Sequence, residues 1–178
     1  IYKIINDNFW ELIDGETEFK KKGNRGELEC VHLLEDKFGK GRFKRSPSSG
    51  ALTGGANREG SENLSIEAKI TLASDIITPI DFRFVIEHKF YAEASFWDLF
   101  NESSILFDWF QQAEDDAKFV NKLPMLVVKY NYKQRIAYIQ IDALAALPVF
   151  SVRGWNCYWF DDLLQLNNEW WFENGKFS

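Results

Sequence analysis

The sequence predicts a mixed α/β domain built around one sheet, and three observations predict it. Apolar residues recur at helical spacing over residues 23–39 and again over 93–120. Short runs rich in β-branched and aromatic residues lie at 82–90, 125–130 and 135–141. Along the chain these alternate as helix, strands, long helix, strands, the order of helices packed on a common sheet. The 178 residues suit one domain, and 46% hydrophobic residues with 7 Trp and 16 Phe provide an ample core, which excludes a disordered chain. No apolar run approaches the roughly 20 residues of a membrane-spanning helix, so no membrane partner is expected.

Residues 1–19 are acidic and carry Phe9, Trp10 and Leu12, as in a short helix or an ordered arm. Over 23–39, Leu28, Val31, Leu34 and Phe38 recur at three- and four-residue spacing, and Gly39 suits a C-terminal stop. A short strand is expected at 41–46. The loop PSSGALTGGANREGSEN follows, rich in Gly, Ser and Asn. Residues 64–72 and 82–90 read as strands, with Pro79 in a turn between them. The helical stretch 93–120 has a break near Asn101 to Ser104, and Phe96, Phe100, Phe107, Phe110, Ala117 and Val120 line its buried side. Pro124 ends the connection to strands 125–130 and 135–141, which Asn131 to Gln134 join as a hairpin. From Val149 the tail is aromatic, with Trp155, Trp159, Trp170 and Trp171. No repeat and no domain boundary is visible. The expected organisation is a single domain over 1–178: an arm (1–19), a core (about 20–141) and an aromatic-rich extension (142–178).

The net charge is −6, but its distribution is uneven. Between Lys20 and Arg45 nine basic residues face four acidic ones, a local +5 that leaves −11 for the rest. Such a patch on an acidic body suits phosphate contacts, and equally suits a merely solvated charge run. Cys30 and Cys157 are too few and too far apart for metal-ligand spacing, as in a reduced, intracellular protein. The chain starts at Ile1 with no basic patch before an apolar stretch, so no secretory signal is visible.

The segment FRFVIEHKF, residues 82–90, carries the chemistry. Side chains alternate along a strand, so Phe82, Phe84, Ile86 and His88 share one face and Arg83, Val85, Glu87 and Lys89 the other. Glu87 and Lys89 then stand about 7 Å apart on one face. A surface ion pair is one reading of them. The other begins with Asp75, separated from Glu87 by 11 residues, which a hairpin would bring alongside. Two carboxylates and water make a hard oxygen site for Mg²⁺, or Mn²⁺ in its place. Such an ion activates water and neutralises charge on a phosphodiester, and Lys89 would orient the water or hold the phosphate. Asp75 as a simple turn residue remains the alternative.

Two rivals are set aside. Asp81 precedes Glu87 on the same extended segment, roughly 20 Å away. Glu67 and Lys69 repeat the Glu-x-Lys spacing, but no Asp lies 10 to 30 residues before Glu67. Glu27 shares a helix face with Val31, Leu34 and Phe38, at the edge of the buried stripe. A metal or a Lys would partner it there, and a first-turn Glu favoured by the helix dipole is the alternative. Glu29 points to the solvated side.

Together these residues resemble the PD-(D/E)xK nuclease superfamily, and more narrowly Holliday-junction resolvases of archaeal type in a phage or prophage variant. The similarity runs from Lys22 to about Ile141, through KGNRGE (22–27), FKRSPSSG (43–50), SDI (74–76), FVIEHK (84–89) and PMLVVKYNYKQRIAYI (124–139). The chain departs from the small archaeal enzymes in the roughly 25 residues between Ser49 and Asp75, in its aromatic tail and in its acidic charge.

The resemblance implies a restriction-endonuclease-like core, a central mixed sheet flanked by helices. It implies metal binding by Asp75, Glu87 and Glu27, catalysis by these with Lys89, and a helical Gln, which is Gln112 rather than Gln111. Arg25, Arg45, Ser46, Ser49 and Lys129 are the implied DNA contacts. The implied activity is Mg²⁺-dependent cleavage of four-way or other branched DNA by a two-fold homodimer, leaving 5′-phosphate and 3′-hydroxyl ends, in the cytoplasm of a bacterium or a phage-infected cell. A restriction- or repair-type nuclease on linear duplex, and a non-catalytic DNA-binding module on the same fold, are the alternatives.

Overall fold

The computed structural model describes residues 21–47, 63–92, 95–101, 104–143 and 146–173. A first helix, α1, covers residues 21–38 and stops where Gly39 takes a φ of +107° that disfavours side chains. Strand β1 (Lys44–Arg45) leads to helix α2 (Ile66–Ala73) and strand β2 (Ile76–Ile77). Strand β3 (Phe84–Tyr91) runs to a 3-10 turn at Phe96–Leu99 and helix α3 (Ile105–Val120). Strands β4 (Leu123–Tyr130), β5 (Arg135–Ile139), β6 (Phe150–Val152) and β7 (Trp155–Trp159) follow, then the short helices α4 (Phe160–Leu163) and α5 (Asn168–Trp171).

The strands form one seven-stranded sheet in the order β1-β2-β3-β4-β5-β7-β6. Only β3 and β4 run parallel, from Phe84↔Leu123 to Tyr91↔Tyr130; the other pairs are antiparallel. A parallel pair needs a crossover, and α3 supplies it. Helices cover both faces. On one, Val31, Leu34 and Phe38 of α1 pack with Phe84, Ile86 and Val127, closed by Leu163 and Trp171. On the other, Leu106, Phe110 and Ala113 of α3 pack with Leu126 and Val128, while Ile70 of α2 meets Val85 and Val120. The expected α/β class and flanked mixed sheet are therefore present, and the alternation of faces along 82–90 holds.

The break near residues 101–104 is real: Ser104 has extended backbone before α3, and its hydroxyl donates to the Asp98 carbonyl at 2.8 Å. The helix ends at Asn121, which adopts the left-handed conformation that Asn tolerates.

One element differs. The segment expected as a strand at 64–72 is helix α2. Its Ile66, Ala68, Ile70 and Leu72 alternate like a strand, but Ser65 caps the Ala68 N–H at 3.3 Å. Packing against α3 buries Ile70 and Ala73, a helical three-residue spacing, so tertiary contact decides the type. The aromatic tail also goes inward: Trp171 stacks on Phe82 at 5.7 Å, and Trp155 on Phe110 at 4.6 Å. Those rings fill the core.

Candidate active site

Antiparallel pairing of Ile76 with Ile86 sets Asp75 beside Glu87 where β2 begins. Asp75 is held from several sides. Its carbonyl accepts the Ser46 N–H at 2.8 Å and its Oδ2 accepts the His88 N–H at 2.9 Å. Ser74, just before it, donates its hydroxyl to the Ile70 and Ile76 carbonyls. Burial raises the Asp75 pKa, and the His88 N–H and the Lys89 charge only partly offset it.

Glu87 is 2% exposed, and its pKa stands well above the ordinary carboxylate range, through burial first and the neighbouring Asp75 charge second. Hydrogen bonding from the Glu87 side chain also works against the rise at Asp75. Glu87 Oε1 is 2.5 Å from Lys89 Nζ and makes no hydrogen bond beyond that ion pair. Burial alone would depress Lys89, but Glu87 and then Asp75 outweigh it and keep the ammonium charged. Gln112 of α3 accepts from Lys89 Nζ through Oε1 at 3.1 Å. Gln111, in contrast, turns outward to Asp115.

Glu27 reaches this group from α1. Its pKa is raised by burial and then by Asp75, while its Oε2 takes a 3.1 Å hydrogen bond from Arg45 Nη1. Arg45 also donates to Asn24 Oδ1 at 3.0 Å. The expected three-carboxylate metal set is thereby narrowed: Asp75 pairs with Glu87, and Glu27 with Arg45. Among the described residues no three His, Cys, Asp or Glu side chains stand close enough to share one ion. The Asp75–Glu87 pair, all oxygen and buried, fits a hard divalent cation.

The expected DNA contacts divide. Arg45 lies at the site, and Arg25 is exposed on α1, paired with Glu29 at 3.0 Å. Ser46 is 0% exposed and donates its hydroxyl to the Thr71 carbonyl, so a direct DNA contact does not fit it; it braces Asp75 instead. Lys129 pairs with Phe90 in the parallel register, on the sheet face opposite Glu87 and Lys89, and its ammonium goes to the Lys133 carbonyl. Ser49 lies outside the described residues.

Asp81 sits 4.0 Å from Arg42, away from the carboxylate pair, and Glu67 is exposed in the first turn of α2. Glu29, read as solvated, joins Arg25 and Arg135. One residue was missed. Asp116, 2% exposed on α3, adds negative potential at both Glu87 and Lys89. Its signal was available: it follows Gln112 by four residues on the same helix face.

The family model described as "Phage putative PDDEXK endonuclease" matches residues 18–150, about three-quarters of the chain. The chain belongs to that family. Every candidate residue from Arg25 to Lys129 falls within the matched stretch. Membership in the PDDEXK endonucleases makes the seven-stranded sheet a restriction-endonuclease-like core. PD-(D/E)xK nucleases generally use divalent metals. No curated protein and no solved structure matches the chain. No helix among the described residues is long and apolar enough to cross a membrane.

Proposed function

We propose that this phage-family nuclease is a Mg²⁺-dependent DNA endonuclease, with Mn²⁺ able to substitute, and that Asp75 and Glu87 hold the ion. The observation that carries this reading is the buried pair of carboxylates with the Lys89 ammonium 2.5 Å from one of them. A bound divalent ion would supply Lewis acidity, making water a better nucleophile and offsetting charge on the phosphate. The chain's own groups do the rest. Asp75, anchored by the His88 N–H, presents a fixed oxygen. Lys89, steadied by Gln112, holds a positive hydrogen-bond donor where charge grows on the phosphate oxygens. Glu87, then Asp75 and Asp116, keep that amine protonated. Glu27 holds the Arg45 guanidinium at the rim, where Arg45 and Arg25 meet DNA phosphates.

The substrate we propose is branched DNA, with the four-way junction as its fullest case, cut by a two-fold homodimer in the cytoplasm of the host cell. The resemblance of the ordered motifs to junction resolvases supports it. The test is cleavage in Mg²⁺ of a synthetic four-way junction beside a linear duplex of the same sequence, for wild type, Lys89→Ala and Asp75→Asn. Paired symmetric nicks on the junction alone, lost in both variants, are expected. Equal cutting of the duplex would leave a nuclease and remove the resolvase. Junction binding without any cutting would favour a DNA-binding module.

A further inference from the structure

We propose that the cavity beside Lys89 receives one unpaired nucleobase of the DNA strand being cut. The proposal rests on the nuclease reading above and deepens it by naming the feature of branched DNA that is read. A cavity of about 160 Å³ opens between the end of β3 and the first turns of α3. That is the volume of roughly five waters, room for one flat ring system and not for a base pair. Its walls are aromatic, with Tyr91, Trp109 and Tyr130 among its lining residues.

Its position ties it to the site. Tyr91 follows Lys89 by two residues on β3, so it shares that face about 7 Å further on. Trp109 precedes Gln112 by one turn of α3, about 5 Å along the axis. The two rings meet edge-on, 5.3 Å apart at 76°. The cavity therefore begins one strand repeat and one helix turn from the Lys89–Gln112 contact, a reach comparable with one extended nucleotide.

The polar end of the cavity is also built. Asp98 Oδ2 accepts the Ser95 N–H at 3.1 Å, and the Asp98 carbonyl accepts the Ser104 hydroxyl. A carboxylate keeps further lone pairs, which suit the amino edge of adenine, cytosine or guanine. Burial first, then Asp98, push the Tyr130 phenol up to about 12, so it stays an O–H group. A stacked, paired base cannot enter such a slot, whereas an unpaired one at a branch enters without first breaking a pair.

The experiment uses the full chain without divalent metal and reads fluorescence anisotropy on three labelled DNAs. These are a paired duplex, the same duplex with a one-nucleotide bulge, and the bulge with that nucleotide abasic. The bulge should bind about tenfold more tightly than its abasic form, in the range of base–aromatic stacking. Tyr91→Ala, at a residue 40% exposed, should abolish that ratio and leave paired-duplex binding within twofold. Ile105→Trp, which fills the mouth from a position 41% exposed, should do the same. Equal affinity of wild type for bulge and abasic DNA, or a ratio unchanged in both variants, overturns the proposal. The three DNAs are then incubated with Mg²⁺. Cutting without base preference sinks the pocket and leaves the nuclease; base preference without cutting of any DNA sinks the nuclease and leaves the pocket.

Discussion

The backbone N–H of His88 donates to Asp75 Oδ2 at 2.9 Å, so one carboxylate of the pair is tied to the strand that carries the other. Asp75 and Glu87 therefore move as one unit, and the geometry an ion would meet is set before it binds. Burial raises both pKa values; the Asp75 charge raises Glu87 further, whereas hydrogen bonding from the Glu87 side chain lowers Asp75 in part.

Asn at position 75 can still accept the His88 N–H, so Asp75→Asn should fold normally and lose about 10²-fold or more in single-turnover cleavage. Lys89→Ala should lose as much. Lys129→Ala, on the opposite sheet face, should stay within about twofold. A comparable loss at Lys129 would mean that DNA crosses that face as well.

Glu87 fixes the sign of one pH effect. Its folded pKa is raised, so the folded state holds a proton longer than the unfolded chain, whose Glu titrates near 4.3. Its contribution is fully present below that value and is lost as pH rises through the folded pKa. Relative to Glu87→Gln, metal-free wild type should lose stability from about pH 4 upward in urea titrations. Saturating Mg²⁺ should cancel the loss, adding about 2.7 kcal/mol at 100 times its Kd. A wild type and variant with parallel pH profiles would contradict a raised Glu87.

His88 acts in the opposite direction. Burial first, then Arg135, lower its pKa to about 3. The unfolded His takes up a proton near 6.5, so stability should fall as pH drops from about 6.5 toward 3. His88→Phe should flatten that limb of the urea profile. An imidazole that titrates near 6 in the folded protein by NMR would refute the assignment.

Gly26 lies against the same ring. A Cβ there would stand 2.6 Å from His88 Cε1, in a buried contact that has no room to yield. Ala gains roughly 1 kcal/mol of helix propensity, but overpacking costs ~1–3 kcal/mol. Gly26→Ala should therefore destabilise in a wild-type background and cost less beside His88→Ala, as a double-mutant cycle in urea would read. Additive effects would show that α1 shifts freely.

Arg45 bridges Asn24 and Glu27 with one guanidinium. If it also contacts a phosphate, Arg45→Ala should weaken DNA binding and reduce the slope of log K against log salt by about 0.9. A weaker affinity with an unchanged slope would leave Arg45 only the partner of Glu27.

Much of this was legible in the chain itself, for a local reason. The pleat puts Glu87 and Lys89 on one face whatever surrounds them, and a hairpin of that length sets Asp75 opposite. Helical periodicity likewise aims Gln112 away from Gln111, and the order of apolar patterns gives the α/β class. The tertiary structure alone decided the rest. Contact with α3 made 66–73 a helix despite its alternation, and closure of the sheet edge sealed Ser46 inside. The one-to-one register of β3 with β4 put Lys129 on the far face, and Arg45 became the ion-pair partner of Glu27. Periodicity within one element determines which of its sides is apolar. Which distant charge meets which is settled only when separate elements are buried against one another, where an unpaired charge is too costly to leave.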